Sequence, residues 1–199
     1  MSSGLAPSAA GSSLSGLISA KIRDIPDYPQ PGIVFKDITP LLADGDAFAA
    51  VVSAMAEGIR EGGQGIREGG QKGERARIDK VVGIEARGFI LAAPVAYRMR
   101  AGFVPIRKHG KLPAETLGES YELEYGTATV EVHVDAFRPG ERVLIIDDVL
   151  ATGGTAAASV SLVRRSGAEV AAVSVLLELG FLGGRARLPG VEVRSLLAV

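Results

Sequence analysis

Two acidic residues and a glycine-rich turn follow a strongly apolar segment of this 199-residue chain. Asp147 and Asp148 come directly after the buried-type strand Val143–Ile146, and the turn Ala151-Thr152-Gly153-Gly154-Thr155 begins shortly afterwards. Carboxylates accept hydrogen bonds from a sugar diol, or hold a divalent ion that the diol shares. Glycines let backbone N–H groups converge beside the unpaired amides of a helix start, and such a concavity binds anions.

The helix predicted after this turn has no acidic residue in its first turn, 155–159, so the positive end of its dipole is left for an outside anion. Hydrogen bonds to a charged group contribute about 1.5–3 kcal/mol each, against about 0.3–1 kcal/mol for the dipole. The sequence has neither the lysine-containing ATP loop nor G-x-G-x-x-G after a strand. A lone phosphate fits better, and with the acid pair the segment predicts a ribose 5-phosphate cradle. For D-D or T-G-G-T alone, a plain surface turn is the alternative.

The string V-L-I-I-D-D-V-L-A-T-G-G-T at 143–155 resembles the signature of the type I phosphoribosyltransferases, which bind 5-phosphoribosyl 1-pyrophosphate (PRPP). The resemblance to members that use adenine covers roughly residues 22–197. It implies a doubly wound α/β domain with a mainly parallel sheet, an antiparallel lid hairpin and a small N-terminal hood. It also implies conversion of adenine and PRPP to AMP and pyrophosphate, a homodimer, and Mg²⁺ held indirectly, through PRPP hydroxyls and pyrophosphate near Asp147 and Asp148.

Two further segments resemble the part of the family site that binds pyrophosphate. Glu85-Ala86-Arg87-Gly88 follows the predicted strand 81–84 and resembles the pyrophosphate loop, with a non-proline cis peptide expected at Glu85–Ala86. The basic run 107–111 supplies cations for the leaving group, and we assign this role to Lys108 and Lys111, with Arg107 as a further substrate-binding residue. Taken without the resemblance, a solvated strand end and an ordinary basic surface run remain open.

The resemblance also assigns residues to the base. Main-chain groups at Val34 and Lys36, beside Phe35, would read the purine edge, and Leu179 would pack on the adenine face. Two alternating segments, 119–126 and 129–134, predict the hairpin, on which Glu124 would approach the imidazole ring of the purine and Tyr125 would seal the site. The catalytic set is therefore Glu124, Arg87 and Lys108. The alternatives are a core role for Phe35 and an outward-facing acid at Glu124.

The length and composition of the chain favour a single domain and argue against several classes of partner and chemistry. Hydrophobic residues make up 47% of the chain, the net charge is −1 and there is no cysteine, which argues against nucleic acid, an anionic membrane surface, disulfides and a thiolate nucleophile. The Ser/Gly/Ala-rich start lacks the basic and apolar regions of a secretory signal. We predict a cytoplasmic protein with a disordered tail over residues 1–18 and a single domain over 19–199.

Several local features complete the expected layout. We predict a short helix beginning at 19–23, an amphipathic helix over 41–60 and a flexible lid over 107–134. G-I-R-E-G-G-Q at 58–64 is repeated without change at 65–71, which indicates a duplicated, glycine-rich insertion loop over 58–76. Gly183-Gly184 stands where relatives often have a less flexible pair, so the rigidity of that edge is an open question.

Two other functions remain possible on the sequence alone. One is a phosphoribosyltransferase for hypoxanthine, guanine or a pyrimidine, against which the matches at 34–36 and Glu124 argue. The other is a regulator that senses PRPP without catalysis. Such regulators usually carry a DNA-binding segment, and the first twenty residues show no helix-turn-helix pattern.

Overall fold

A computed structural model of the chain describes residues 13–62, 77–122 and 126–199, without the side chains of residues 58–62. These residues form two compact units that divide between Ala50 and Val51, within one helix. The first unit has a sheet of its own, made of two strands. The N-terminal hood of the sequence analysis corresponds to this unit.

The first unit consists of two helices, two antiparallel strands and the start of a third helix: α1 (Leu14–Lys21), β1 (Arg23–Pro26), β2 (Val34–Asp37), α2 (Thr39–Ala43) and α3 (Gly45–Gly62). Helix α1 begins five residues earlier than we predicted, so the tail assigned to residues 13–18 is wrong. The Ser13 side chain caps the helix by accepting a hydrogen bond from the Gly16 N–H, and Ile18 is fully buried. The predicted tail at residues 1–12 lies outside the described residues.

The single helix predicted over 41–60 is two helices, because the chain is extended at Asp44. The Asp44 carboxylate accepts a hydrogen bond from the Ala47 N–H at 3.0 Å and pairs with Lys21 at 2.7 Å, so it acts as a cap for α3. Helix α3 continues through Gly62, so the first residues of the predicted insertion loop are helical. The rest of the duplication, 63–76, lies outside the described residues.

The second unit is built on one seven-stranded sheet in the order β5-β6-β4-β3-β7-β8-β9. The pairs β4–β3, β3–β7, β7–β8 and β8–β9 are all parallel. Strand β6 pairs antiparallel with β4 and forms the expected hairpin with β5. The mainly parallel α/β sheet is therefore confirmed. Its strands are β3 (Lys80–Ile84), β4 (Gly102–Lys108), β5 (Thr116–Glu122), β6 (Thr127–His133), β7 (Arg142–Leu150), β8 (Glu169–Glu178) and β9 (Val193–Ala198).

Two helices cover opposite faces of this sheet: α4 (Arg87–Met99) and α5 (Gly154–Arg165). The inward-facing residues of α5, Ala156, Val160 and Val163, are buried in one cluster with alternate residues of β3 and β7, such as Val82 and Ile145. Helix α4 lies on the other face, where a Cβ added to Gly83 of β3 would stand 2.9 Å from the Ala92 side chain. Since β7 is covered on both faces, its residues Val143–Ile146 are all fully buried, which is why that segment is a continuous apolar run.

The chain order makes a switch point between β3 and β7. Strand β3 leads through α4 to β4 on one side, while β7 leads through α5 to β8 on the other. In such sheets the crevice at the carboxyl ends of the two central strands is the usual ligand site. The turns that follow β3 and β7 are the two segments in which the sequence predicts phosphate and pyrophosphate binding. None of the helices in the described part of the chain has the length and apolar character needed to cross a membrane.

An ion pair between buried Glu178 and half-exposed Arg185 fastens the β8–β9 edge of the sheet. Glu178 at the end of β8 accepts hydrogen bonds from Arg185 at 2.6 and 2.7 Å and from the Ser195 hydroxyl of β9 at 2.8 Å. Arg185 also donates to the Val193 carbonyl at 2.7 Å. Hydrogen bonds from Arg185 and Ser195 lower the pKa of Glu178, although burial opposes this.

Replacing this acid tests its contribution to stability. A carboxyl with a lowered pKa in the folded state stabilises the fold above its unfolded pKa, and this contribution is lost as the pH falls through the folded pKa. We expect Glu178→Gln to lower the free energy of unfolding at pH 7 by about 1–3 kcal/mol, with the difference from wild type shrinking toward pH 3.5. Urea unfolding at pH values between 7 and 3.5 measures this difference in the free energy of unfolding.

The matched control is Glu192→Gln, because Glu192 is a half-exposed acid paired with Arg194. An exposed pair contributes about 0–1 kcal/mol, so we expect little change at any pH. A constant difference between wild type and Glu178→Gln from pH 7 to 3.5 would contradict the role of the carboxylate charge.

Candidate functional site

The turn predicted to hold a phosphate lies between β7 and α5. Gly153 has a φ of +83°, and α5 begins at the next residue, without an acidic residue in its first turn. The first helical hydrogen bond runs from the Ala157 N–H to the Gly153 carbonyl at 2.9 Å. Among the described residues the backbone N–H groups of Gly154, Thr155 and Ala156 have no partner, so this turn presents three donors to an anion.

The acid pair stands at the same end of β7, next to an arginine from the other turn. The Arg87 Nε lies 2.8 Å from Asp148 Oδ2, and Asp147 Oδ1 accepts the Asp148 N–H at 2.9 Å. Gly88 permits this approach, because a Cβ there would stand 2.9 Å from both Asp147 Oδ1 and the Ile146 carbonyl oxygen. The structure thus brings Arg87, Gly88, Asp147 and Asp148 together, with Arg87 paired to an acid in the absence of ligand.

Burial raises the pKa of both carboxyls. Repulsion from Asp148 adds to this effect at Asp147, whose pKa is raised well above its usual value. At Asp148, the positive charge of Arg87 opposes the rise in pKa that burial causes. One guanidinium compensates only one of two buried negative charges, so groups that donate hydrogen bonds, such as the hydroxyls of a sugar diol, are favoured partners here.

The turn after β3 contains the predicted cis peptide between Glu85 and Ala86. Glu85 accepts hydrogen bonds at 3.1 Å from Arg107 Nε and from the Lys108 N–H. Burial acts to raise the pKa of Glu85, but these hydrogen bonds and the charge of Arg107 outweigh it and lower the pKa. Glu85 therefore stays charged and fastens the end of β4 beside the switch point.

The basic run 107–111 is strand at its start and a turn afterwards. Arg107 and Lys108 belong to β4 and pair with β6, and Arg107 donates to the Lys111 carbonyl at 2.8 Å. Arg107 thus holds the shape of the turn, while its contact with substrate stays a prediction. The side chains of Lys108 and Lys111 are exposed, and in the described part of the chain neither ammonium has an ion-pair partner.

Sequence reasoning missed a second acid that fastens this turn. Glu131 of β6 is 6% exposed, accepts the Gly110 N–H at 2.9 Å and lies 2.5 Å from His109 Nδ1. Burial acts to raise the pKa of Glu131, and the hydrogen bonds from Gly110 and His109 reverse this and lower it. Glu131 alternates with apolar residues along its strand, but its partners Gly110 and His109 are 21 and 22 residues away, so no local signal identifies it.

The structure also explains Gly183-Gly184. A Cβ added to Gly184 would clash with the Ala151 carbonyl oxygen and would stand 3.1 Å from the Gly153 nitrogen, whereas nothing lies within 4 Å of a Cβ at Gly183. Gly184 therefore packs its backbone against the turn that is predicted to bind phosphate. Leu179, the residue predicted to contact the base, is partly buried and donates its N–H to the Leu150 carbonyl at 2.9 Å, which places it at the end of β7.

The other residues predicted to bind the base fall in the first unit or outside the described residues. Val34, Phe35 and Lys36 lie on β2; the Phe35 ring packs edge-on against Tyr28 at 5.2 Å, and Lys36 pairs with Asp24 at 2.8 Å. At the end of β2, hydrogen bonds from Thr39 and Arg23 lower the pKa of Asp37 to about 2. Glu124 and Tyr125 lie outside the described residues, between β5 and β6.

Comparisons with known proteins agree with this arrangement. The phosphoribosyl transferase domain family matches residues 42–185. An adenine phosphoribosyltransferase of Acidothermus cellulolyticus is 62% identical over 183 residues, which is 92% of this chain and 96% of the relative. One of Thermobifida fusca is 60% identical over 186 residues, covering 94% and 98%.

Two solved structures are similar as well. The adenine phosphoribosyltransferase of Rhodothermus marinus has a TM-score of 0.83 at 49% identity, covering 94% of this chain and 98% of that one. The Saccharomyces cerevisiae enzyme, solved with an imino-altritol bisphosphate and adenine, has a TM-score of 0.83 at 34% identity, covering 92% and 98%.

The fold, with its phosphate turn and acid pair at the switch point, is that of a type I phosphoribosyltransferase. The chain belongs to the phosphoribosyltransferase family and, within it, to the group of the adenine phosphoribosyltransferases.

Substitution at the two neighbouring glycines tests whether Gly184 supports the phosphate turn. We expect Gly184→Ala to push the turn at Ala151–Gly153 out of place, with a loss of about 1–3 kcal/mol in the free energy of unfolding and a rise of at least about tenfold in KM for PRPP. Steady-state kinetics and urea unfolding measure the two effects.

Gly183→Asn is the matched control. Gly183 has a φ of +63° and open space around it, and asparagine tolerates such a conformation better than most residues. We expect a KM for PRPP close to that of wild type. Equal KM values for the two variants would show that the contact of Gly184 with the turn has no role in donor binding.

Proposed function

We propose that this chain transfers the 5-phosphoribosyl group of PRPP to adenine, giving AMP and pyrophosphate in purine salvage, with Mg²⁺ as cofactor. The observation that carries the proposal is the position of the three unpartnered amides of the phosphate turn next to the acid pair at the end of β7. In PRPP the phosphate and the ribose diol are parts of the same sugar phosphate, so one PRPP molecule would contact both the amides of the turn and the acid pair.

In this mechanism each part of the donor has its own partner. The amides of residues 154–156 and the threonine hydroxyls bind the 5′-phosphate, and Asp147 and Asp148 accept hydrogen bonds from the ribose hydroxyls. The C1–O bond to pyrophosphate breaks through an oxocarbenium-like state while N9 of the base attacks C1. Arg87, Lys108 and Lys111 stabilise the negative charge that develops on the leaving group.

The residues present fit a metal that arrives with the substrate. The described residues contain no cluster of three or more histidine or acidic side chains that could hold a metal ion by themselves, and Asp148 is paired with Arg87. Asp147 and Asp148 would hold Mg²⁺ through the ribose hydroxyls, as the sequence predicts. When bound, Mg²⁺ would neutralise part of the negative charge of the pyrophosphate.

Selectivity for adenine is supported by the similarity to adenine phosphoribosyltransferases and by the residue matches. Backbone groups of Val34 and Lys36 would pair with the adjacent acceptor and donor of the adenine edge, a pattern that a 6-oxo purine reverses. Leu179 would pack on the ring, Glu124 would hydrogen-bond its N7 side and Tyr125 would close the site. A homodimer and a cytoplasmic location belong to the same proposal, and light scattering of the purified chain bears on the former.

Incubation with each free base tests the function directly. With PRPP and Mg²⁺ we expect AMP and pyrophosphate from adenine, and at least about 100-fold lower kcat/KM for hypoxanthine and guanine, because a misplaced donor and acceptor leave polar groups unpaired. We expect a chelator to abolish turnover and added Mg²⁺ to restore it. Preference for a 6-oxo base would overturn the adenine assignment, and full activity with chelator would overturn the role of Mg²⁺.

Glu124→Gln tests the catalytic residue on the base side. We expect kcat to fall by about 10²- to 10⁴-fold, because a group that assists proton movement on the base is lost, while the Kd for PRPP stays within about twofold. Pre-steady-state kinetics and calorimetry measure the two. The control is Glu122→Gln, on the same hairpin. Equal loss of kcat and of PRPP affinity in Glu124→Gln would assign the residue a supporting role only.

A further inference from the structure

Tyr121 of β5 contacts the first turn of α5 at two adjacent points. The Thr155 hydroxyl donates a hydrogen bond to the Tyr121 hydroxyl at 3.0 Å. The tyrosine ring also packs directly against Gly154: a Cβ added to Gly154 would stand 3.0 Å from the Cδ2 atom of Tyr121. Both contacted residues belong to the turn that presents unpartnered amides to the phosphate, so a side chain to which we assigned no function touches that site directly.

The position of Tyr121 is fixed by contacts on either side of it. At the far end of α5, Arg165 donates to the Gly118 carbonyl at 3.0 Å and pairs with Glu119 at 2.5 Å. Within the hairpin, the Ser120 hydroxyl bonds the Thr129 hydroxyl at 2.8 Å. Strand β5 is therefore fastened to α5 near both ends of the helix, and Tyr121 is held against its N-terminal end.

The chemistry of two hydroxyls allows this hydrogen bond to run in either direction. Each hydroxyl has one proton to donate and two lone pairs with which to accept, and the proton rotates to suit its partners. In the structure, the Thr155 hydroxyl donates its proton to the Tyr121 hydroxyl. A phosphate oxygen can only accept, so for Thr155 to donate to it, the Tyr121 hydroxyl must become the donor to Thr155.

We propose that Tyr121 is a positioning residue for the 5′-phosphate. When the phosphate enters the turn, the Tyr121–Thr155 hydrogen bond reverses, Tyr121 donates to Thr155 Oγ1, and Thr155 donates to a phosphate oxygen. The tyrosine fixes the orientation of the threonine hydroxyl and strengthens its donation, because hydrogen bonds in a chain polarise one another. This inference deepens the proposed function at the same site and rests on it for the identity of the phosphate ligand.

Conservative substitutions can separate the hydrogen-bonding role of the Tyr121 hydroxyl from the packing of its ring. Phenylalanine in place of Tyr121 keeps the ring against Gly154 and removes only the hydroxyl. Valine in place of Thr155 keeps the branched shape and removes the other partner, while serine at that position keeps the hydroxyl. These variants allow a double-mutant cycle in which each substitution deletes one end of the same hydrogen bond.

The test measures binding of ribose 5-phosphate and of pyrophosphate by calorimetry, together with steady-state kinetics. We expect Tyr121→Phe to raise the Kd of ribose 5-phosphate and the KM of PRPP by about 3- to 10-fold, the usual range for one hydrogen bond, with kcat and the Kd of pyrophosphate unchanged. In the Thr155→Val background, Tyr121→Phe should add less than about 1.5-fold. In the Thr155→Ser background the full effect should return.

The control is Tyr97→Phe, because Tyr97 is 88% exposed on α4 and away from the phosphate turn; its constants should equal those of wild type. Independent, multiplicative effects of Tyr121→Phe and Thr155→Val would overturn the proposal, as would equal weakening of ribose 5-phosphate and pyrophosphate, the mark of a general structural role. If the wild type binds ribose 5-phosphate but forms no AMP, the proposed function fails while the cycle still decides the role of Tyr121.

Discussion

Close backbone approach around the end of β7 is the constraint on which the site depends. Three segments come together there with no room for a Cβ: Gly88 against Asp147, Gly184 against the turn at Ala151–Gly153, and Gly154 against Tyr121. The unpartnered amides of this turn are held in a fixed array because neighbouring backbone and ring atoms support the turn from behind. Such an array needs no reorganisation when an anion binds, and pre-organised donors of this kind give most of the electrostatic benefit in a site.

Charge is arranged in the same way, since three acids near the site, Asp148, Glu85 and Glu131, each have a defined partner. Asp148 pairs with Arg87, Glu85 with Arg107, and Glu131 with His109 and the Gly110 N–H. Pairing lessens the competition of these acids with an anionic ligand, and the ammonium groups of Lys108 and Lys111 remain exposed to solvent. A chain with a net charge of −1 can in this way present a positive surface to pyrophosphate.

The parts of this site that the sequence predicts are those whose signal is local. The buried strand, acid pair, glycine turn and acid-free helix start at 143–159 lie within one short stretch, and the structure places all of them as expected. The contact of Gly184 with Ala151 and the pairing of His109 with Glu131 join residues 22 to 33 positions apart, so no short pattern reveals them. The start of α1 was missed for another reason, since a serine cap and one buried isoleucine are weak signals in a Ser/Gly/Ala-rich stretch.

In the proposed function, the two ends of PRPP would meet supports of different kinds. The 5′-phosphate, which does not react, would face backbone amides on a turn enclosed by glycine contacts, whereas the pyrophosphate, which leaves, would face long lysine side chains on a turn fastened by two acids. Binding energy from the non-reacting end can hold the ribose C1 in place for attack. Flexible cations at the other end can follow the pyrophosphate as its charge develops and as it departs. A hydroxyl pair such as Tyr121–Thr155 belongs on the rigid end, because a hydrogen bond that orients a donor is useful only where the donor must not move.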